Sequence, residues 1–309
     1  MADDSSWSAV DSLLGDRYTR EARIAPAFLC VFPIVILLMA WFKELQNLVP
    51  ALLTMFCVFG VVRWVSHIAR GIGDQAEIQL FRDWGGKPTT SMLRVALNCV
   101  KPDDLHLFKD RSRGWFKSRR RAKTAENVKH LLREAPDTEH IQELIAHRIG
   151  LDFQPQEDDA RIEASHRANH EKADLLDSMY EPVVAWMREN SRNNTLVFEE
   201  EISYGFQRNF YALRSFALWC NGIALLVQVG VIACVHHWLH RWVMTPSIAA
   251  VILIANVLYL IGVARFVSED SVMVQGFIYA RALFDALYAA DSPGAKDGDH
   301  DNAAPAKKH

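Results

Sequence analysis

Residues 24–42 read IAPAFLCVFPIVILLMAWF, an apolar stretch that contains no charged side chain. A helix needs about 20 such residues to cross the roughly 30 Å hydrocarbon core of a bilayer. Three further stretches have the same character, at residues 45–62, 215–239 and 243–264. None of them has the polar stripe at helical spacing that a water-soluble core helix of this length would carry. The sequence therefore predicts an all-α integral membrane protein with four transmembrane helices, paired as two hairpins, and a helical cytoplasmic domain between them.

The residues that flank these stretches predict the orientation of the chain, because short cytoplasmic segments are enriched in Lys and Arg. Lys43 and Arg241 are the only basic residues of the two connectors inside the hairpins, if Lys and Arg are counted. The other flanks carry Arg17, Arg20, Arg23, Arg63, Arg70, Arg208, Arg214 and Arg265. We therefore expect a multi-pass protein of the cell inner membrane with both termini and the central segment in the cytoplasm. Residues 1–4 read MADD, which is not typical of a cleaved signal peptide, so the first stretch is interpreted as a retained span.

This topology divides the chain into six segments. They are a cytoplasmic N-terminal segment (1–23), transmembrane hairpin 1 (24–66), a cytoplasmic helical domain (67–212), transmembrane hairpin 2 (213–265), a cytoplasmic helix (266–290) and a tail (291–309) that we expect to be disordered. In the central domain, apolar residues recur at three- and four-residue spacing. That spacing predicts helices at 74–84, 89–99, 124–134, 138–149, 160–179 and 182–189, with prolines at their boundaries. We expect the first of them to continue from the second span, and the helix through Phe206 to run into the third.

Composition and motifs exclude several classes of function. The 309 residues include 34 basic and 37 acidic side chains, and the net charge of −3 excludes a broadly basic nucleic-acid-binding protein, so no DNA partner is expected. The five cysteines form no CxxC pair, and neither the pair His166 and His170 nor the histidines at 236, 237 and 240 match a known metal motif. We expect no metal and no other cofactor. No nucleophile–base pattern occurs in the sequence, so no catalytic residue is assigned.

Two amide side chains, Gln228 and Asn256, lie near the midpoints of the third and fourth spans. Burying an amide in hydrocarbon without a partner is costly. Since antiparallel helices would bring the two to a similar depth, we expect them to hydrogen-bond to each other or to the backbone. The alternative is that they line a polar pathway through the bundle.

The stretch WGGKPTT at residues 84–90 is a candidate binding site for an anion. Its two glycines favour a tight turn, Pro88 favours the start of a helix, and Thr89 or Thr90 is a suitable cap. The N–H groups at a helix start bind phosphate or carboxylate, and Lys87 and Arg94 would add positive charge. The predicted ligand-binding residues are Lys87, Thr89, Thr90 and Arg94. The alternative is a helix-breaking turn with an exposed lysine.

A second basic stretch, at residues 109–123, surrounds two aromatic residues. Basic residues interleaved with aromatics suit anionic lipid headgroups, and the lipid bilayer is the nearest partner of a tethered cytoplasmic domain. The predicted membrane-surface patch consists of Arg113, Trp115, Lys117, Arg119, Arg120 and Arg121. A nucleotide or RNA stacked on Trp115 and a merely solvated loop are the alternatives.

Two stretches carry a resemblance to a known family: LFRDWGGKPTTSMLR at residues 80–94 and EISYGFQRN at residues 201–209. Through them the chain resembles a family of uncharacterised bacterial membrane proteins with four spans. The resemblance implies paired spans at each end and a cytoplasmic domain between them, and it implies no activity or catalytic residue. The architecture is also similar to that of membrane effectors in bacterial antiviral systems, where a cytoplasmic sensor acts on a small helical bundle.

The functional hypothesis from the sequence is a non-enzymatic membrane protein. Its cytoplasmic domain would sense a small anionic ligand or a partner and act through the membrane bundle, as a homo-oligomer. One alternative is a membrane-anchored enzyme that acts on a phosphorylated or lipid substrate through Lys87, Arg94, His166 and His170. Another is a membrane scaffold that localises a partner protein.

Overall fold

The computed structural model describes residues 16–41, 48–105, 107, 115–133, 143, 155–164, 169–238 and 246–291. Within these ranges the chain is all-helical, and no described residue lies in a β-strand. The helices, in chain order, are α1 (Ala25–Trp41), α2 (Leu48–Trp84), α3 (Pro88–Ala96), α4 (Trp115–Arg133), α5 (Pro155–Ala164), α6 (Asn169–Asn190), α7 (Thr195–Ala212), α8 (Arg214–Trp238), α9 (Pro246–Phe266) and α10 (Glu269–Asp291). A π-helical turn, Thr19–Ile24, leads into α1, and a 3₁₀ turn, Pro102–Asp104, follows α3.

The chain divides into two compact units. The first unit comprises Met1–Gln79 and Ile202–Val272, and the second comprises Leu80–Glu201 and Met273–His309. Helices α2, α7 and α10 each contribute residues to both units. The units are therefore connected through helical backbone.

Among the described residues, three helical segments are long and apolar enough to cross a membrane, all of them in the first unit. They are Thr19–Leu38, Arg214–Ala233 and Ser247–Phe266. They correspond to the first, third and fourth spans predicted from the sequence. The predicted second span, 45–62, falls partly outside the described residues, and its described backbone belongs to α2 from Leu48 onwards.

Two expected helix continuations can be compared with the structure. Helix α2 runs without interruption from Leu48 to Trp84, so the predicted continuation from the second stretch into the helix at 74–84 is confirmed. Helices α7 and α8 are separated only by Leu213. The Leu213 N–H donates to the Asn209 carbonyl (3.0 Å), and the Ala217 N–H donates to the Leu213 carbonyl (2.9 Å), so the helical bonding pattern passes through this residue.

The expectation that Pro182 separates two helices is wrong, because Pro182 lies inside α6. Proline removes one backbone hydrogen bond and strains the preceding turn, at a cost of about 3 kcal/mol. The residues on both sides of it bury one continuous apolar stripe, and this packing outweighs the local cost. The stripe consists of Leu176, Tyr180, Val183, Val184 and Met187. The predicted helix at 138–149, apart from residue 143, and the predicted disorder beyond residue 291 lie outside the described residues.

In the first unit, two prolines in the first span each leave a backbone carbonyl without its usual partner, since proline has no N–H for the residue four positions earlier. Pro26 leaves the carbonyl of Ala22, which accepts a hydrogen bond from Asn209 Nδ2 at 2.7 Å. Pro33 leaves the carbonyl of Leu29, which accepts one from the Tyr259 hydroxyl at 2.6 Å. In hydrocarbon such a carbonyl must be satisfied by protein. These bonds therefore fix α7 and α9 against the N-terminal helix.

The two central amides of the third and fourth spans interact as expected. Asn256 Nδ2 lies 3.3 Å from Gln228 Oε1, and Gln228 Nε2 donates to the Ala249 carbonyl at 3.0 Å. Asn221 adds a bond from its Nδ2 to the Asn256 carbonyl at 3.2 Å. All three amides are buried. The predicted hydrogen bond between the two helices is confirmed.

Candidate functional site

The WGGKPTT stretch forms the turn between α2 and α3. Gly85 and Gly86 have φ angles of 82° and 137°, a region that side chains other than glycine rarely adopt. Lys87 is the N-cap residue of α3 and Pro88 occupies its first turn. The predicted capping role of Thr89 or Thr90 is therefore wrong, because the helix starts before them. Both threonines are buried inside α3.

The start of α3 is occupied by an acidic side chain from α6. Asp177 Oδ1 accepts the backbone N–H of Lys87 at 2.8 Å, and the Lys87 ammonium pairs with Glu181, one turn further along α6. Asp174 on the same helix pairs with Arg82 at 2.9 Å. The position predicted for an anionic ligand thus holds a carboxylate of the chain itself.

Burial raises the pKa of Asp177 above its ordinary value, and the Thr90 hydroxyl and the Lys87 backbone N–H oppose that rise without cancelling it. The folded protein therefore favours the neutral form of this side chain more than the unfolded chain does. Asp177 thus occupies the Lys87 N–H that an anion at this position would use.

Arg94, the fourth residue predicted to bind the ligand, lies in a buried ion pair. Its Nε and Nη2 lie 2.7 and 2.8 Å from the two carboxylate oxygens of Asp159, and Nη2 lies 2.7 Å from Glu163 Oε1. The side chains of Arg94 and Asp159 are 5% and 2% exposed. Burial by itself would lower the pKa of Arg94, but Asp159 and Glu163 raise it above the usual value. The described contacts of the Arg94 guanidinium are therefore all with side chains of α5, and they join α3 to that helix.

Tyr180 of α6 completes this buried cluster. Its hydroxyl lies 3.1 Å from Asp159 Oδ2 and 3.3 Å from Cys99 Sγ. Burial raises the pKa of the Tyr180 hydroxyl and also that of the Cys99 thiol. The cluster binds three helices together through neutral and ion-paired groups. Lys87 and Arg94 lie at opposite ends of the short helix α3, and each is held by a different helix.

Comparison of the chain with protein-family models, with curated proteins and with solved structures gives no match. The resemblance through WGGKPTT and YGFxRN stays a prediction.

Of the predicted membrane-surface patch, only part lies among the described side chains. Arg119, Arg120 and Arg121 lie on α4, and all three have interaction partners within the protein. Trp115 and Lys117 belong to the first turn of the same helix, and their side chains are outside the described part. Arg113 lies outside the described residues. Among the described residues, no group of three or more His, Cys, Asp or Glu side chains is placed to hold a metal ion.

A second polar cluster, which the sequence reasoning did not predict, joins α2 to α7 in the first unit. Glu77 accepts a hydrogen bond from the Tyr204 hydroxyl at 2.8 Å and forms an ion pair with Arg208. Arg208 also lies 3.6 Å from Asp74. Burial raises the pKa of Tyr204 well above its ordinary value. Tyr204 and Arg208 are four residues apart, and Asp74 and Glu77 are three apart. Each spacing places the two residues on one helix face, which is the signal that the sequence offered.

Proposed function

We propose that the protein is an integral membrane protein with four spans and that its second unit senses an anionic ligand or a partner in the cytoplasm. The observation that carries this proposal is helix α2, a 37-residue helix that is about 55 Å long. About 30 Å of hydrocarbon accounts for only part of that length. The remainder extends to the Lys87 turn without a flexible linker.

The contacts of α2 suggest how a change in the second unit reaches the spans. Asp177 and Glu181 of α6 hold the turn that ends α2. Closer to the membrane, Glu77 of α2 holds Tyr204 and Arg208 of α7, which continues into the third span. Displacement of Asp177 by a ligand would release the end of α2 from α6. We expect α2, which is one helix from Leu48 to Trp84, to carry that movement to the bundle.

The proposed topology predicts the result of a labelling experiment on intact cells. In a variant without native cysteines, Arg192→Cys places a thiol on an exposed residue of the second unit, and His240→Cys places one in the connector between the third and fourth spans. We expect a membrane-impermeant maleimide to label His240→Cys from outside and Arg192→Cys only after the membrane is opened. Labelling of Arg192→Cys in intact cells, or recovery of the chain in the soluble fraction, would contradict the topology.

The proposed ligand site predicts opposite effects of two substitutions. Asp177→Asn keeps an acceptor for the Lys87 N–H but removes the competing charge, so the full-length protein in detergent should bind inorganic pyrophosphate about tenfold more tightly. Lys87→Ala should weaken that binding. The measurement is isothermal titration calorimetry, with Asp174→Asn as a control that removes an equal charge from the same helix face. The ligand site would be rejected if pyrophosphate binds to neither the wild type nor Asp177→Asn.

A further inference from the structure

Two contacts determine the register between α2 and α7. This register in turn gives the depth of each α2 residue within the helical bundle of the first unit. Glu77 lies opposite Tyr204 and Arg208. One turn nearer the membrane, Gly73 lies opposite Asn209, since a Cβ on that glycine would be 2.5 Å from Asn209 Oδ1. The helices are antiparallel, because residue numbers rise along one as they fall along the other.

The same register continues from α7 into α8. Ala69 and Val65 belong to the same buried cluster as Leu213 and Ala217, which agrees with the antiparallel alignment. Extended by two more residues, the alignment places Arg63 at the depth of Trp219, which is 73% exposed and lies within an apolar stretch. Arg63 is therefore deeper in the bundle than its position after the second apolar stretch indicates.

In the proposed topology, Arg214 marks the cytoplasmic boundary of the bundle. It begins α8, and its Nη2 donates to the carbonyl of Ala264 near the end of α9, at 2.9 Å. Residue 219 is five residues beyond it, about 7.5 Å into the span at 1.5 Å per residue. By the same alignment, His67 lies at the level of the boundary and Arg70 lies just outside it.

The two cations Arg63 and Arg70, with His67 between them, form a cationic ladder on one face of α2. Their spacing of four and three residues places them within about 60° around the helix. All three are exposed, and within the described part of the chain none of them is in an ion pair. Trp64 and Ile68 are exposed beside them and add apolar surface to the same side of the helix.

We propose that the cationic ladder is a binding site for the headgroup phosphate of an anionic phospholipid in the cytoplasmic leaflet. The phosphate layer lies at the boundary that the ladder straddles. Arg63 lies below that layer, and its long side chain extends up to it while the methylene groups stay in apolar surroundings. His67 lies at the level of the phosphate, and Arg70 lies above it. Each cation near the surface contributes about a fivefold preference for anionic lipid. The inference rests on the proposed membrane topology.

The test measures the lipid that stays with the full-length protein. The protein is exchanged into micelles with equimolar phosphatidylglycerol and phosphatidylcholine, separated by gel filtration, and its bound lipids are quantified by mass spectrometry. We expect phosphatidylglycerol to be enriched over phosphatidylcholine in the lipid bound to the wild type. In Arg63→Gln/Arg70→Gln this enrichment should be at least fivefold lower. Soluble glycerol phosphate in excess should not displace the lipid. If it does, the site recognises a free phosphate and the proposal of a lipid site is overturned.

The matched control is Arg161→Gln/Arg192→Gln. It removes two exposed arginines of the second unit, whose side chains are 80% and 76% exposed. We expect this control to keep the wild-type enrichment, and all variants to keep the wild-type elution volume and circular dichroism. Equal enrichment in the ladder variant and the wild type would overturn the lipid site, as would an equal loss in the control. A wild-type chain that is absent from the membrane fraction would instead refute the topology.

Discussion

Asp159→Ala is expected to lower the free energy of unfolding by about 3–5 kcal/mol, because it leaves Arg94 buried with the half-exposed Glu163 as its only described charge partner. The substitution also removes the carboxylate that lies beside the Tyr180 hydroxyl. The loss should appear as a lower thermal unfolding midpoint of the full-length protein in detergent, followed by far-UV circular dichroism.

The neighbouring residue provides a matched control for this prediction. Asp158 is 55% exposed, and its only described ion pair is with Arg161 at 3.6 Å. Exposed pairs of this kind contribute about 0–1 kcal/mol, so Asp158→Ala should leave the midpoint almost unchanged. Equal effects of the two substitutions would contradict the buried pair.

If Asp159→Ala does not fold, a double variant keeps the prediction testable. Arg94→Met/Asp159→Leu removes both charges and replaces them with apolar groups. Replacing a buried pair in this way is often neutral or stabilising, so we expect the double variant to be more stable than Asp159→Ala. A double variant less stable than the single one would show that the cost of Asp159→Ala is not an unpaired charge.

Gly73→Ala is expected to destabilise the protein by about 1–3 kcal/mol, although alanine is the better helix former. The added Cβ would lie 2.5 Å from Asn209 Oδ1. Asn209 cannot move freely, because it is fully buried and its Nδ2 is bound to the carbonyl of Ala22. The substitution therefore separates α2 from α7 or breaks that hydrogen bond.

Gly71→Ala makes the same chemical change two residues earlier, on the exposed side of α2. A Cβ at that position meets nothing within 4 Å. We expect it to stabilise the protein by up to about 1 kcal/mol, since only helix propensity changes. Unfolding midpoints of both variants in the same detergent test the contrast, and a shift of the same sign in both would refute the close approach of the two helices.

The sequence determined the helical architecture through local pattern. The charge-free block at 24–42 and the blocks at 215–239 and 243–264 predicted the three membrane-length helices, because a helix that crosses hydrocarbon has no polar face. The Gln228–Asn256 contact was also predictable, since two buried amides at similar depth have few other partners. Pro182 shows where local reasoning fails, because packing along α6 outweighs the strain that a proline introduces.

The environment of the candidate site was decided only by the tertiary structure. The WGGKPTT pattern correctly placed a turn and a helix start, but the acidic partners of its basic residues lie far away in the sequence. Asp177 is 90 residues from Lys87, Asp159 is 65 from Arg94, and Arg208 is 131 from Glu77. Many carboxylates could have filled each of these positions, and no periodicity selects one of them. The packing of the helices determines which acidic residue lies beside each basic one, because a charge is buried only where an opposite charge is close to it.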